Sequence, residues 1–217
     1  MPLNLTIADP QVTIYLTPIQ KRLDNKRSDE RSTLEALLNS GVITEIPQNI
    51  GIIHQSNGSP IFSEDIGLGI SISHSDHILA IAIYENTYRV GIDIEERAEQ
   101  AALIIRRVAS ESELALMKTF QLHPIILWSA KEATFKAFSD KVITMSGQVV
   151  LKDCTPDINT LTLNVIKNNR KQALIEVQYI DTFNEVPCLR SFLPEHPFVL
   201  AIASNIPQPK VTIKTLP

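Results

Sequence analysis

Two carboxylates stand two residues apart in the apolar run at residues 90–95. If the run is a strand, Asp93 and Glu95 project from the same face, because successive side chains alternate across the pleat. Two such carboxylates repel each other, and a hard divalent cation such as Mg²⁺ relieves the repulsion while it also binds phosphate oxygens and water. An edge strand with both acids in solvent gives the same pattern, so the pair alone does not decide between the two interpretations.

A third carboxylate, Glu132, follows thirty-nine residues after Asp93, within a stretch rich in helix formers at 128–136. A helix places Trp128, Glu132 and Lys136 along one face, because they are spaced i, i+4, i+8. On an exposed face, the Glu/Lys pair would be an ordinary surface feature worth a few tenths of a kcal/mol. The chain's single tryptophan on that face favours partial burial instead.

The two stretches together resemble the 4'-phosphopantetheinyl transferases of the surfactin-synthetase-activating type. The resemblance lies in Gly-Ile-Asp-x-Glu at 91–95 and in Trp-Ser-x-Lys-Glu-Ala-x-x-Lys at 128–136. A third match is Ser-Ile-Ser-His-Ser at 71–75, where the family carries a Ser-His pair that contacts coenzyme A. The order and spacing of all three motifs agree with the family.

The resemblance implies an α+β fold of two similar lobes, each a small antiparallel sheet packed with helices and related by a pseudo-twofold axis. We expect the lobes at 1–96 and 97–217, with the active site in the cleft between them. The implied enzyme transfers 4'-phosphopantetheine from coenzyme A to a serine of an acyl or peptidyl carrier protein, with Mg²⁺ as cofactor and adenosine 3',5'-bisphosphate as the leaving product.

The family's functional residues carry over position by position. The metal ligands would be Asp93, Glu95 and Glu132, and the catalytic residues Glu132 and Lys136. The coenzyme A contacts would be Arg31, Ser73, His74, Asp93 and Lys136. Arg31 is included because it heads an apolar helical turn at 31–38, as an arginine does in the family. Either Glu132 or a magnesium-bound water could take the serine proton, and the sequence does not choose between them.

One turn departs from the family. Where relatives often have a basic residue before the proline of a Gly-Lys-Pro turn, this chain has Asn-Gly-Ser-Pro at 57–60. Ser59 offers a hydrogen bond to a phosphate but no charge, and a charge-assisted bond is roughly twice as strong. Either coenzyme A affinity is weaker, or another cation substitutes.

Composition narrows the class of protein. With 217 residues and 44% hydrophobic content, the chain can bury a sizeable core as one large domain or two small lobes. A net charge of −4 argues against a general binder of nucleic acid or membrane surfaces. Cys154 and Cys188 show no metal-ligand spacing and no disulfide framework, although one incidental disulfide stays open. With no signal peptide or membrane span visible, we expect a cytoplasmic protein. We also expect it to be a monomer.

The periodicity of the chain predicts its elements. We expect a strand before Pro18, a helix ending near Asn39 and short strands and turns at 42–70. A three-stranded meander over 71–75, 78–84 and 88–95 would bring Ser73 and His74 near Asp93 and Glu95. Next come a helical region at 98–120 with a capping box at Ser110, a helix opened by Pro124 and a second antiparallel sheet.

Two other functions compete with phosphopantetheine transfer. A magnesium-dependent phosphohydrolase could use the same three carboxylates, but we find neither a named nucleophile nor a second-metal cluster. A degenerate relative could bind coenzyme A or a carrier protein without turnover, as Ser59 suggests, yet the metal ligands and Lys136 are intact. Arg106 and Arg107 are either solvated helix charges or a basic patch for an acidic carrier helix.

Overall fold

A computed structural model of the protein describes residues 11–19, 26–140, 144–183, 195–206 and 209–216, except for the side chains of 26–32. Within these ranges the chain is α+β, as predicted, with four α-helices and three small sheets. Cys154 is a buried free thiol, whereas Cys188 lies outside the described residues. The pseudo-twofold relation between two lobes stays a prediction.

The strands are β1 (Gln11–Pro18), β2 (Ile52–His54), β3 (Pro60–Phe62), β4 (Leu68–His74), β5 (Ile78–Glu85), β6 (Val90–Glu95), β7 (Val149–Thr155), β8 (Thr160–Lys167), β9 (Arg170–Asp181), β10 (Val199–Ser204) and β11 (Lys210–Thr215). The helices are α1 (Lys26–Asn39), α2 (Ala98–Val108), α3 (Glu111–Thr119) and α4 (Pro124–Ala137). No helix among the described residues is both long and apolar enough to cross a membrane.

The first sheet has the order β11-β1-β5-β4, and the second has the order β6-β10-β9-β8-β7. The second sheet is antiparallel throughout, whereas β1 pairs with β11 in parallel. The two sheets do not follow the order of the chain. β6 pairs in the second sheet with strands that come later in the sequence, and the last strand, β11, pairs in the first sheet with strands that come earlier. The division into lobes at residue 96 therefore does not coincide with the division of strands between sheets, and it stays a prediction.

The predicted three-stranded meander is wrong in its last step. β4 and β5 do pair as an antiparallel hairpin, but β6 pairs with β10 and not with β5. The apolar residues of β6 account for this choice, because Ile92 and Ile94 pack into an apolar core between the two sheets, together with residues of β1, β5 and β10. β6 still lies beside β4, although the two strands belong to different sheets, so Ser73 is close to Asp93 as predicted.

Helices cover the outer faces of the two sheets. The far side of the first sheet packs against α1 and the β2–β3 hairpin, through residues such as Tyr15, Leu38 and Phe62. The far side of the second sheet packs against α2, α3 and α4, whose apolar residues form the largest core cluster. The site-bearing helix α4 is thus held between the second sheet and two neighbouring helices.

Local sequence signals begin the helices as predicted. Ser110 is extended and caps α3, with its side chain accepting from the backbone N–H of Glu113 and the Glu113 side chain returning to Ser110. Pro124 occupies the first turn of α4. Glu113 also forms a buried ion pair with Lys131, at 2.6 Å between Oε1 and Nζ, and accepts from the backbone N–H of Leu151 at 2.8 Å. This pair links α3, α4 and β7.

Gly91 allows α4 to lie directly on β6. A Cβ atom at this position would stand 2.1 Å from the carbonyl oxygen of Ala133 and 2.5 Å from the amide nitrogen of Ala137. No side chain fits at such distances, so helix and strand backbones meet here. Since side chains alternate along β6, Asp93 and Glu95 share the face that Gly91 turns toward α4.

We predict that Gly91→Ala lowers the free energy of unfolding by at least about 2 kcal/mol, because the added methyl forces two packed backbones apart. Gly51→Ala is the matched control, since a Cβ there meets Ser63 at an ordinary 3.7 Å, and it should change stability by less than about 0.5 kcal/mol. Urea denaturation measures both. Equal stabilities for the two variants would show that the contact between α4 and β6 is not tight.

Candidate active site

Asp93 lies at the centre of a small polar network between β4, β6 and α4. The carboxylate is 6% exposed and its Oδ1 accepts from Ser73 Oγ at 3.0 Å and from Lys136 Nζ at 2.9 Å. Lys136 Nζ also donates to Ser73 Oγ at 2.9 Å. The structure therefore brings together Ser73, Asp93 and Lys136, three of the residues that the sequence assigned to one site.

Two serines of β4 join the two sheets at this point. Ser71 Oγ accepts from the backbone N–H of Ile92, and Ser73 Oγ accepts from that of Ile94, each at 3.1 Å. These hydroxyls replace a backbone ladder, because β4 and β6 belong to different sheets. The role of Ser71 was missed, although its position two residues before Ser73 indicates that both face the same side of β4.

Glu95 is held by the residues that follow it. Its Oε1 accepts from Arg97 Nε at 3.0 Å and from the backbone N–H groups of Glu96 and Arg97 at 3.0 and 2.9 Å. Arg97 Nη2 reaches the other oxygen at 3.3 Å. Sequence reasoning missed Arg97, although a cation two residues after the carboxylate pair was visible in the chain. It offsets part of the negative charge at the site.

Of the three carboxylates, Glu132 has the fewest interactions that stabilise its negative charge. It is half-buried and accepts no hydrogen bond from the residues whose placement is described. Burial, together with the negative charges of Asp93 and Glu95, raises the pKa of Glu132 to about 7, against the lowering influence of Lys136. Glu132 therefore lies close enough to the other two carboxylates for their charges to act on it.

The donor set fits a hard cation. Three carboxylates supply oxygen ligands, and the excess negative charge at Glu132 is what a bound Mg²⁺ would relieve. The oxygens of Asp93, Glu95 and Glu132, all of them described, do not lie within 4.8 Å of one another as a set. Lys136 and Arg97 hold the first two, so these side chains must adjust to take a common ion.

A cleft of about 510 Å³ opens beside this network, between the 55–61 turn, β4 and the end of α4. Ser59 and Lys136 both line it, and Ser59 Oγ lies 3.0 Å from Ser139 Oγ. Arg89 also lines the cleft, where its Nη2 donates to Asp140 Oδ2 at 3.0 Å and its guanidinium stacks over Phe138. Arg89 is thus a cation in the cleft that the sequence did not single out.

His74 lines an adjoining cleft of about 850 Å³ between α1, β2 and β4. The two clefts share Gly58, Pro60 and Ile72, so they meet at the turn that carries Ser59. Arg31 belongs to α1, but its side chain lies outside the described part of the chain. Its predicted contact with coenzyme A stays a prediction, as do the other assigned roles.

Comparison with known proteins agrees with part of this site. Residues 89–191 match the family model described as the 4'-phosphopantetheinyl transferase superfamily. The match spans somewhat less than half of the chain and supports a transferase. It includes all three acidic residues and Lys136, whereas Arg31, Ser73 and His74 precede it. No curated protein matches the chain.

The raised pKa of Glu132 predicts a specific dependence of stability on pH. Between about pH 4.5 and 7 the folded protein keeps a proton that the unfolded chain releases, so raising the pH through this window lowers the free energy of unfolding. The loss is up to about 3 kcal/mol. Glu132→Gln removes it, because an amide does not ionise.

Urea denaturation of both proteins with chelator present, from pH 4.5 to 8, measures the effect. Subtracting the variant's curve from that of the natural protein cancels the titration of other groups. We expect the difference to fall steadily up to about pH 7 and then to level off. A difference that stays constant over this range would mean that Glu132 ionises normally.

Proposed function

We propose that the protein transfers 4'-phosphopantetheine from coenzyme A to a serine of an acyl or peptidyl carrier protein, as a transferase of the surfactin-synthetase-activating type. The observation that carries the proposal is the cluster of Asp93, Glu132 and Lys136 on two directly packed elements inside the family-matching segment. The cleft beside the cluster gives a phosphate ester access to it.

Asp93, Glu95 and Glu132 would hold Mg²⁺. When bound, the ion supplies positive charge against the pyrophosphate of coenzyme A and orients the reacting phosphorus. The support for this assignment is the chemistry of the ligands, since all three are carboxylates and Glu132 has no hydrogen-bond donor within the described part of the chain. Lys136 and Arg97, which now pair with Asp93 and Glu95, would then be available to contact the substrate.

Coenzyme A would lie across the two adjoining clefts. Lys136 and Ser73 both contact Asp93, so they would meet a pyrophosphate that approaches this carboxylate, while His74 lines the neighbouring space. Arg31 would contribute a further phosphate contact. Arg89, which lines the same cleft as Ser59, would be the cation that substitutes for the missing basic residue of the 57–60 turn.

In the transfer itself, the carrier serine oxygen forms a bond to the phosphorus that bears pantetheine. The bond between that phosphorus and the bridging oxygen breaks, and adenosine 3',5'-bisphosphate leaves with the electron pair. Lys136 stabilises or protonates the leaving phosphate. Either Glu132 or a water held by the metal would take the serine proton, a task that needs the base within hydrogen-bond reach of the serine hydroxyl.

The carrier protein would meet the exposed end of α2. Arg106 and Arg107 lie exposed in the last turn of this helix, and the neighbouring Leu103 side chain is also exposed. Local positive charge suits an acidic carrier helix, and the net charge of −4 makes nucleic acid or membrane surfaces poor partners. We further propose that the protein works as a cytoplasmic monomer.

Transfer is tested by mass spectrometry of an apo carrier protein incubated with coenzyme A and magnesium. The natural protein should add a phosphopantetheine mass to the carrier. Asp93→Asn and Glu132→Gln should each slow this gain by at least about a hundredfold, because each removes a metal ligand and one removes the candidate base. Glu111→Gln, an exposed carboxylate of the nearby α3, is the matched control and should transfer normally.

Circular dichroism of the variants separates loss of chemistry from loss of fold. Near-normal transfer by Asp93→Asn at limiting magnesium would rule out the three-carboxylate metal site. Binding of coenzyme A or carrier without any mass gain, across several carriers, would instead support a relative that binds without turnover.

Ser59→Lys should tighten coenzyme A binding by at most about fivefold, since a partly exposed ion pair is worth about 1 kcal/mol or less. The gain should fade at high salt as screening increases. Ser59→Gln is the neutral control, because it also loses the contact with Ser139 but adds no charge. Calorimetric titration at low and high salt measures all three proteins. Equal affinities at low salt would mean that the turn does not approach the phosphates or that another cation, such as Arg89, already occupies the place.

A further inference from the structure

Two histidines and a glutamate from distant parts of the chain meet beside the end of β6. His77 lies in the turn between β4 and β5, Glu96 directly follows β6, and His196 shortly precedes β10. His77 Nδ1 lies 3.0 Å from Glu96 Oε1, and His196 Nδ1 lies 3.8 Å from the same oxygen. The two imidazole rings stack with centroids 3.6 Å apart.

The carboxylate of this cluster is fixed in place. The Glu96 side chain is 8% exposed, and its second oxygen accepts from the backbone N–H of His77 at 2.8 Å. Its first oxygen is therefore directed toward both imidazoles. Each histidine keeps about a third of its side chain in solvent, at 32% and 35%, so an ion and a water ligand can reach the cluster.

We propose that His77, Glu96 and His196 bind a divalent transition-metal ion of the zinc class. One ligand atom from each residue lies within 4.8 Å of the other two. Tetrahedral zinc with bonds of about 2.0–2.1 Å places its ligand atoms roughly 3.4 Å apart, and the separations of 3.0 and 3.8 Å lie on either side of that value. The two rings lie 18° from parallel, so they must rotate out of this stacked arrangement for both in-plane nitrogen lone pairs to point at the ion, and water would be the fourth ligand.

The ligand types separate this site from the three-carboxylate site. Imidazole nitrogen suits zinc, copper and nickel, whereas magnesium prefers an all-oxygen set. The two sites share no residue, so the proposal does not depend on the protein being a transferase. The ligands come from the turn of the β4–β5 hairpin, the end of β6 and the segment before β10. An ion bound to all three would stabilise the folded chain over the unfolded one.

The first test uses protein stripped with chelator and then kept in excess magnesium, so that the carboxylate site is occupied. Titration with Co²⁺ should give the visible absorption of tetrahedral cobalt, and Zn²⁺ should displace it. His77→Ala and His196→Ala should each weaken zinc binding by more than about tenfold, which is the scale already seen for outer-shell partners. His54→Ala, an exposed histidine outside the cluster, should bind as the natural protein does.

The second test measures thermal stability with and without zinc. At a concentration about a hundredfold above the dissociation constant, zinc should raise the melting temperature of the natural protein by about 5 to 10 °C. The increase should fall to about half or less in Glu96→Gln and in His196→Ala, because a tenfold loss of affinity already removes about half of it. If Glu96→Gln does not fold, His196→Ala decides, since it changes a side chain that is 35% exposed and lies outside any helix or strand.

Either of two results overturns the proposal. One is zinc affinity in His196→Ala equal to that of the natural protein, which would place any bound zinc elsewhere. The other is the absence of tetrahedral cobalt absorption together with an unchanged melting temperature, which would leave the cluster as a hydrogen-bonded junction only.

Discussion

The direct contact between α4 and β6 is the constraint on which the site depends. Because Gly91 has no side chain, the backbone at Ala133 and Ala137 lies against the strand. This distance allows the Lys136 ammonium to reach Asp93, and it brings the charge of Glu132 near both strand carboxylates. The buried pair of Lys131 and Glu113 holds the same helix from its other side. The packing of α4 against β6 therefore also sets the positions of the charged groups at the site.

The three carboxylates of the site differ in how well their negative charges are compensated. Asp93 has Lys136 and Glu95 has Arg97, but Glu132 has no hydrogen-bond donor among the described residues, and its pKa rises to about 7. Leaving a buried carboxylate uncompensated costs stability, and such costs are typical of sites that bind or react. A cation and a phosphate ester together would balance these charges, which is why the arrangement suits the proposed transfer better than a purely structural role.

The junction between the two sheets is where this chemistry is concentrated. Serine hydroxyls of β4 bond to the backbone of β6 in place of a strand ladder, and the shared apolar core lies behind them. The β4–β5 turn and the segment before β10 reach the end of the same strand, where His77 and His196 meet Glu96. A chain that joins two sheets through side chains brings together polar groups from many segments, and one of these groupings has the ligands of a metal site.

The sequence by itself determined what depends on neighbours along the chain. Alternation placed Asp93 and Glu95 on the face of β6 opposite Ile92 and Ile94, and the capping box at Ser110 began α3. Only the tertiary structure decided which strand β6 would join, and with it the contacts made by Arg89 and His196. Periodicity and capping act within a few residues, so they are visible in the sequence. The choice of a strand partner depends on burying the whole apolar face of a strand. Several strands could bury the apolar face of β6, and only the complete core distinguishes between them.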